Sequence, residues 1–333
     1  MTDPFPDSLR HLAEIYWSGI DPGRSAGPND ITVVTGFFDI GRGDWSGSVQ
    51  GRPIPGWLVR SSDLYMDHFR LLARLRNQMV VFTDRGHADA VLAARKAEGL
   101  EALTHVVVID RPFRRDAVLA ATKARIAGLM DRRLKDFVTD PTMPEVWSPE
   151  YVLVTVMKPL LVLTALDLGL VSRTQVAWLD FGYCRDAQSF NPAYPWHFDC
   201  GSRLHLLAIA KPDGRSPAEM VRTGYCPIQG AQIFGPADLW RPFWLAFRAA
   251  FTELLAADLV DDDQGPLLMA SRAAPELFEV HSVSRRDRYC ALRLFNSAVP
   301  PDQIPPPPRR SRRTPWQRIL NEFERFARRF RAA

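Results

Sequence analysis

The alternation of apolar and polar positions along the chain predicts strands and helices in turn. The first strong strand is the β-branched and aromatic run 31–38, and apolar positions at helical spacing follow over 62–76. Short apolar runs at 79–83 and 104–109 predict the second and third strands, with a helix near 87–98 between them. This order is typical of a largely parallel sheet with helices on its faces.

The second half of the chain continues the same pattern with less regular spacing. It contains predicted helices at 115–138, 149–170 and 238–257, and predicted strands at 176–180, 203–210 and 228–235. We therefore expect an α/β fold with a mostly parallel central sheet flanked by helices.

The distribution of proline and arginine divides the chain into four predicted regions. These are an N-terminal extension (1–29), a main domain (30–299), a Pro/Arg-rich linker (300–314) and a basic amphipathic helix (315–333). The linker is predicted because its prolines can continue neither a helix nor a strand ladder.

Composition excludes several classes of protein. With 46% hydrophobic residues in 333, the chain can bury a sizeable core, so disorder cannot dominate. Its four cysteines form no CxxC pair, which favours reduced thiols in the cytoplasm over a zinc knuckle or a disulfide framework. The start of the chain lacks the basic and apolar parts of a signal peptide, and no apolar run reaches the length of a membrane span.

The positive charge of the chain is concentrated in its last residues. Residues 301–333 hold nine arginines against three acidic residues, a net +6, whereas the whole chain carries +4, which leaves −2 for the rest. A nucleic-acid-binding body is therefore not expected. Aromatic and apolar residues recur at helical spacing within 315–333, which favours an interfacial helix on the anionic inner face of the cytoplasmic membrane. The alternative is a helix docked on the body or on a partner subunit.

Asp180 is the first candidate for chemistry. In parallel sheets ligands bind outside the carboxyl ends of the strands, so the residues after Phe38, Thr83, Ile109 and Asp180 should face one crevice. A carboxylate at the end of a buried strand could hold a divalent metal against a diphosphate. The alternative is a solvated Asp that caps the following turn.

The second acidic feature is the run DDDQ at 261–264. Three adjacent carboxylates before a helix are usually a solvated cap. A carboxylate fixed there could instead accept the proton of an attacking hydroxyl, with Gln264 bound to a sugar hydroxyl. Asp180 and Asp263 in one crevice would favour the second interpretation.

Two further residues have open interpretations. Lys158 interrupts the apolar stretch 152–163 and needs an anionic partner, either a phosphate or a structural carboxylate. His281 could be a ligand of the same metal, or an ordinary core or surface histidine. The loop after the first strand lacks the spacings of a Rossmann or P-loop phosphate site, and no metalloprotease, hydrolase or kinase motif is present.

These segments resemble those of a known family, the bacterial HtrL/YibB-type proteins, also called WlaTC/HtrL family glycosyltransferases. The matching motifs extend from about residue 30 to 297 and include ITVVTGFFDIGRG (31–43), NQMVVFT (77–83), WSPEYVLV (147–154), AWLDFGYCR (177–185), DDDQ (261–264) and PELF (275–278). The motifs WLDFGYCR and DDDQ are the most specific.

The resemblance implies a GT-A-like nucleotide-sugar-binding fold and an enzyme of cell-surface glycan assembly. The implied partners are a nucleotide-sugar donor, a glycan or lipid-linked acceptor and, through 315–333, the membrane surface. GT-A enzymes hold Mn²⁺ or Mg²⁺ with a DxD motif. Asp180 takes the place of its first Asp, with His281 as the other candidate ligand, and Gly182 replaces its last Asp.

The resemblance also implies roles for individual residues. Asp263, with its neighbour Asp262, stands where an inverting enzyme places its catalytic base. The implied nucleotide-sugar-binding residues are Thr35, Phe37, Asp39, Arg42, Lys158, Asp180, Gly182 and Gln264. The expected reaction is a single displacement at the anomeric carbon, and the alternative is a non-catalytic scaffold that binds a nucleotide or glycan.

Overall fold

The protein is described by a computed structural model that covers residues 3–19, 30–225 and 227–307. The predicted basic helix at 315–333 and Cys226 lie outside these residues. The strands are β1 (Glu14–Ser18), β2 (Ile31–Phe37), β3 (Ser48–Val49), β4 (Arg52–Pro53), β5 (Met79–Thr83), β6 (Thr104–Val108), β7 (Gln175–Leu179), β8 (Leu204–Ala208), β9 (Ile228–Pro236) and β10 (Phe278–Ser282).

The main sheet has eight strands in the order β1-β6-β5-β2-β7-β9-β8-β10. Strands β6, β5, β2 and β7 are neighbours in parallel, and β10 lies parallel to β8. Only β1 and β9 pair antiparallel with their neighbours, so six of these eight strands run in one direction. The predicted α/β class with a mostly parallel sheet is confirmed.

The helices cover both faces of this sheet. They are α1 (Ser62–Leu72), α2 (Ala88–Ala97), α3 (Pro112–Arg115), α4 (Ala117–Leu129), α5 (Lys135–Phe137), α6 (Pro149–Val156), α7 (Lys158–Asp167), α8 (Pro217–Thr223), α9 (Trp240–Ala256), α10 (Gln264–Ala273) and α11 (Ala291–Leu294). A π-helical turn, Met130–Leu134, joins α4 to α5.

The two faces of the sheet form two separate hydrophobic cores, because successive strand residues point to opposite sides. On β2, Val34 belongs to the core beneath α4, α6, α7, α9 and α10, whereas Val33 belongs to the core beneath α1 and α2. Both valines are fully buried. Strands that are buried on both faces explain the nearly continuous apolar runs in the sequence.

Residues 3–19 form part of this packing. Phe5, Leu9 and Leu12 are buried in the core beneath α7 and α9, and the backbone N–H of Leu9 donates to the hydroxyl of Thr164 at 3.2 Å. Strand β1 adds an antiparallel edge next to β6.

The predicted helix at 149–170 is divided into α6 and α7, which meet at Met157 with a bend of 47°. The physical reason is Pro159 in the first turn of α7, because proline has no N–H to donate and restricts the residue before it. That residue is Lys158, so the bend fixes its direction. Within the described ranges no single helix is long and apolar enough to cross a membrane, and this bent pair reaches such length and composition only when combined.

Candidate functional site

The chain changes direction across the sheet next to β2. From β2 it proceeds through β5 to β6 on one side, and it then crosses back to β7 on the other side. Ligands of such sheets bind at this switch point, outside the carboxyl ends of the strands. A cavity of about 510 Å³ lies there, lined by Phe37 to Ile40 at the end of β2 and Asp180 to Gly182 after β7.

Lys158 lies at the centre of the site, where it holds three groups together. Its Nζ is 2.7 Å from Asp263 Oδ2, 2.9 Å from Asp180 Oδ1 and 3.1 Å from the carbonyl oxygen of Gly230. Asp180 Oδ1 also accepts a hydrogen bond from Trp178 Nε1 at 2.9 Å. Asp180 and Asp263 therefore meet in one cavity, and the anionic partners of Lys158 are structural carboxylates.

Gly230 makes this arrangement sterically possible. A Cβ at residue 230 would overlap the carboxylate of Asp263, and a Cβ at Gly265 would overlap that of Asp261. Sequence reasoning did not identify Gly230. The signal that could have found it is a glycine inside a strand, which often marks the close approach of another group.

The DDDQ carboxylates are buried, so they are not a solvated cap. The exposed fractions of the residues Asp261, Asp262 and Asp263 are 6%, 6% and 5%. Asp263 precedes α10, but its side chain makes no capping hydrogen bond, because it contacts Lys158 instead. The nearby Glu145 also lines the cavity. The site therefore concentrates carboxyl groups in a poorly solvated wall.

Burial raises the pKa of each of the four carboxyls in this wall. Burial, with repulsion from neighbouring carboxylates, raises the pKa of Glu145 to about 7 and that of Asp261 to about 8. The same two causes raise the pKa of Asp262 well above its ordinary value. Burial also raises the pKa of Asp263, although Lys158 opposes that shift.

Lys158 remains charged in this environment. Burial alone would lower its pKa, but Asp180 and Asp263 outweigh that effect and raise it above the ordinary value. Within this wall the lysine is a fixed positive charge next to the candidate base.

Arg42 lies on the rim of the cavity among aromatic rings. Its guanidinium donates to the hydroxyl of Tyr65 at 2.7 Å and to the carbonyl oxygen of Leu58 at 3.1 Å. The same group lies 4.8 Å from the ring centroid of Trp45 and 5.3 Å from that of Tyr151. These aromatic residues were not identified from the sequence. For Tyr65 and Tyr151 the reason is their distance from Arg42 along the chain.

Phe37 belongs to an aromatic surface that includes Tyr65, the partner of Arg42. Its ring lies 5.0 Å from that of Phe181 and 5.1 Å from that of Tyr65. Phe181 in turn stacks on Phe69 at 4.2 Å with an interplanar angle of 2°. The cavity thus offers an aromatic wall next to a guanidinium.

The other predicted binding residues have different positions. Asp39, Gly182 and Gln264 line the cavity. Asp39 also stabilises its own loop, accepting hydrogen bonds from Gly41 N and Ser62 Oγ, both at 2.8 Å. The Oε1 atom of Gln264 is buried and has no hydrogen-bond partner within the described residues. Thr35 is buried in β2 and is not part of the cavity wall.

His281, the second predicted metal ligand, is not part of the cavity wall. It lies on β10, next to β8. The described ligand atoms grouped with it belong to His205 and Glu279, and Asp180 is not among them. The structure therefore does not bring Asp180 and His281 to a common metal position.

Two comparisons place this chain among known proteins. The profile of a family described as "Bacterial protein of unknown function (HtrL_YibB)" matches residues 29–297. The "Protein HtrL" of Escherichia coli (strain K12) is 33% identical over 280 residues, which cover 81% of this chain and 93% of that protein. The matched range includes the whole cavity wall.

Proposed function

This chain belongs to the HtrL/YibB family, and we propose that it is an inverting glycosyltransferase with a GT-A-like fold. It would transfer a sugar from a nucleotide-sugar donor to a cell-surface glycan or a lipid-linked acceptor. The observation that carries the proposal is the buried carboxylate of Asp263, which Lys158 holds at the carboxyl edge of the sheet. This edge is where α/β sheets bind their ligands.

The rim of the cavity supports binding of a nucleoside diphosphate. The aromatic wall of Phe37, Tyr65 and Phe181 offers apolar surface for a base, as in most small-molecule sites. Arg42 and Arg185 line the same cavity and could bind the diphosphate oxygens, for which a guanidinium is well suited. The aromatic wall and the guanidinium groups therefore define the proposed donor site.

The acidic wall supports the chemical step. A hydroxyl of the acceptor attacks the anomeric carbon of the donor sugar while its proton moves to a carboxylate oxygen of Asp263. The new bond forms between the hydroxyl oxygen of the acceptor and the anomeric carbon, and the bond from that carbon to the diphosphate breaks. The diphosphate leaves with the electron pair. Lys158 orients the base, and Asp262 is the second candidate for it.

The residues next to the proposed donor site also fit a divalent cation. Asp180 is 38% exposed in its side chain, and Mg²⁺ in enzymes is commonly bound by one or two carboxylates together with substrate phosphates. When bound there, Mn²⁺ or Mg²⁺ would offset charge on the departing diphosphate. Lys158, 2.9 Å from Asp180, contributes fixed positive charge on the protein side.

Calorimetric titration with UDP, GDP, CMP and TDP, each with and without Mn²⁺, tests the proposed donor site. We expect one nucleotide to bind, more tightly with Mn²⁺, and the gain from Mn²⁺ to be lost in Asp180→Ala. Asp67→Ala is the matched control, because Asp67 forms an exposed ion pair on α1 outside the cavity wall. Absence of binding to all four nucleotides by the folded protein would contradict the proposal.

A second candidate function is a non-catalytic scaffold that binds a nucleotide or glycan. The observation that favours it is Gly182, which offers no second carboxylate after Asp180 and packs close to Tyr65. The two candidates differ in turnover. A scaffold would bind the nucleotide sugar without consuming it, whereas a transferase would release the free nucleotide.

A further inference from the structure

Three residues with metal-binding side chains share one face of the sheet, outside the cavity wall. Glu279 and His281 are two residues apart on β10, so both point to the same side. His205 on β8 lies directly opposite Glu279 in the parallel register. The geometry of two neighbouring strands therefore brings the three side chains together.

The ligand atoms of these three side chains lie close enough to one another to share one metal ion. His205 Nδ1 lies 2.7 Å from His281 Nε2, and His281 Nε2 lies 3.8 Å from Glu279 Oε1. One ligand atom from each residue lies within 4.8 Å of the others. Two imidazole nitrogens and a carboxylate oxygen are a ligand set that zinc enzymes use with a fourth position left open.

The ring of His205 is also held in place by a hydrogen bond at its other nitrogen, as is usual for metal-binding histidines. Its Nε2 lies 2.9 Å from the carbonyl oxygen of Cys200, an acceptor that requires the ring proton on Nε2. The Nδ1 lone pair is then directed towards His281. The rings of Phe234 and Phe295 lie 5.0 Å from His205 and 4.6 Å from His281, so the two imidazoles face an apolar surround.

We propose that His205, Glu279 and His281 form a binding site for a divalent transition metal ion of the zinc class. The N-to-N distance of 2.7 Å is that of a hydrogen bond, so the two rings share a proton when no ion is bound. Two nitrogens on one tetrahedral zinc ion, each at about 2.0–2.1 Å from it, lie about 3.3–3.4 Å apart. Binding thus requires the two nitrogens to separate by about 0.6–0.7 Å. Glu279, which is exposed, can move to join them.

This site is distinct from the one proposed for the donor diphosphate. Imidazole ligands favour zinc, copper or nickel, whereas a lone carboxylate with phosphates favours magnesium or manganese. A bound ion would link the edge strand β10 to β8 and so stabilise the sheet against local opening at that edge. The inference does not depend on glycosyl transfer.

The test is a titration of the chelator-treated full chain with Zn²⁺ alone, with Co²⁺ absorption in the visible range as a report of tetrahedral coordination. The variants are His281→Ala and Glu279→Gln. The matched controls are His11→Ala, which removes an exposed imidazole paired with Asp116, and Asp180→Asn, which alters the cavity. No nucleotide is present, so the result is independent of the proposed donor site.

We expect one Zn²⁺ per chain in the wild type, and an affinity lower by at least about tenfold in His281→Ala and in Glu279→Gln. Both controls should bind as the wild type does. The exposed position of Glu279 keeps the test valid if the His281 variant fails to fold. Absence of Zn²⁺ binding in the wild type, unchanged affinity in Glu279→Gln, or loss of binding in Asp180→Asn would overturn the inference.

Discussion

Lys158 Nζ lies 2.7 Å from Asp263 Oδ2, across 105 residues of sequence, and both side chains are buried. Neither charge is stable there alone, because transfer of an unpaired charge into a poorly solvated interior is strongly unfavourable. The pair therefore connects the bend between α6 and α7 to the start of α10, and it orients the carboxylate that we propose as the base.

Removal of the lysine charge should destabilise the protein. Lys158→Met keeps most of the side-chain volume but leaves Asp263 without its cation, so we expect the free energy of unfolding to fall by about 3–5 kcal/mol. The double variant Lys158→Met/Asp263→Asn should recover part of that loss, because it removes the buried charge of Asp263 and leaves only the partly exposed Asp180 without its cation. Urea denaturation measures both changes.

The matched control for this comparison is Arg70→Met. Arg70 forms an exposed ion pair with Asp67, and such pairs contribute about 1 kcal/mol or less. If Lys158→Met lowered the free energy of unfolding no more than Arg70→Met does, Lys158 would not be the cation that compensates the buried charge of Asp263.

Gly230→Ala should disrupt the site without a change of charge. A Cβ at residue 230 would overlap the Asp263 carboxylate, so Asp263 would have to move away from Lys158. We expect a loss of about 1–3 kcal/mol in the free energy of unfolding, the range for overpacked cores. Gly128→Ala in α4 is the control, because nothing lies within 4 Å of its Cβ and alanine favours the helix. Equal stability of the two variants would contradict the close approach at Gly230.

The buried carboxyls predict a stability that falls as pH rises. The pKa values of Glu145 and Asp261, about 7 and about 8, are raised by burial above those of the unfolded chain. The folded protein therefore binds more protons than the unfolded chain from about pH 4 up to about pH 7 at Glu145 and about pH 8 at Asp261. Within its own window each group lowers the free energy of unfolding by up to about 1.4 kcal/mol per pH unit. Below about pH 4 both carboxyls are protonated in the folded and the unfolded chain, so neither lowers the free energy of unfolding there.

Urea denaturation at several pH values in this window measures the slope. Glu145→Gln should flatten it, because its amide does not titrate. The exposed residue Glu253 is the control, and Glu253→Gln should leave the slope as in the wild type. A slope that is unaffected by Glu145→Gln would show that this carboxyl does not hold its proton in the folded protein.

Arg42→Lys should weaken nucleotide binding although it keeps the charge. The two terminal nitrogens of the guanidinium donate hydrogen bonds to Tyr65 and Leu58 at the same time. The single ammonium group of lysine cannot reproduce this planar arrangement of donors. We expect the affinity for the nucleotide identified by calorimetry to fall by roughly tenfold, or about 1.4 kcal/mol. Arg70→Lys on the exposed face of α1 should change nothing. Equal affinities would remove Arg42 from the proposed donor site.

Much of the fold could be predicted from the sequence, because strands that are buried on both faces have distinctive apolar runs. The runs at 79–83 and 104–109 correspond to β5 and β6. The edge strands β1 and β10 were not predicted, because their partly exposed faces give short, mixed patterns. The division at Met157 was also missed, although Pro159 was visible in the sequence.

The site could be predicted only in part. Asp180 and Asp263 were identified from strand ends and from the family resemblance, and both lie in the cavity. The burial of all three aspartates of the DDDQ run was not predictable, because it depends on Gly230 and Gly265 leaving room for the carboxylates. The contact of His281 with His205 depends on the pairing of β8 with β10, and no local pattern encodes that register.

Consumption of the nucleotide sugar by the wild type and by Asp263→Asn tests the central claim most directly. The substitution keeps the shape of the side chain and removes the proton acceptor, so nucleotide binding should stay within a few-fold while release of the free nucleotide falls by about 10²–10⁴-fold. That separation of binding from turnover is the result we predict for Asp263 as the base. Equal turnover in the two proteins, or no turnover of any bound nucleotide sugar by the wild type, would contradict it.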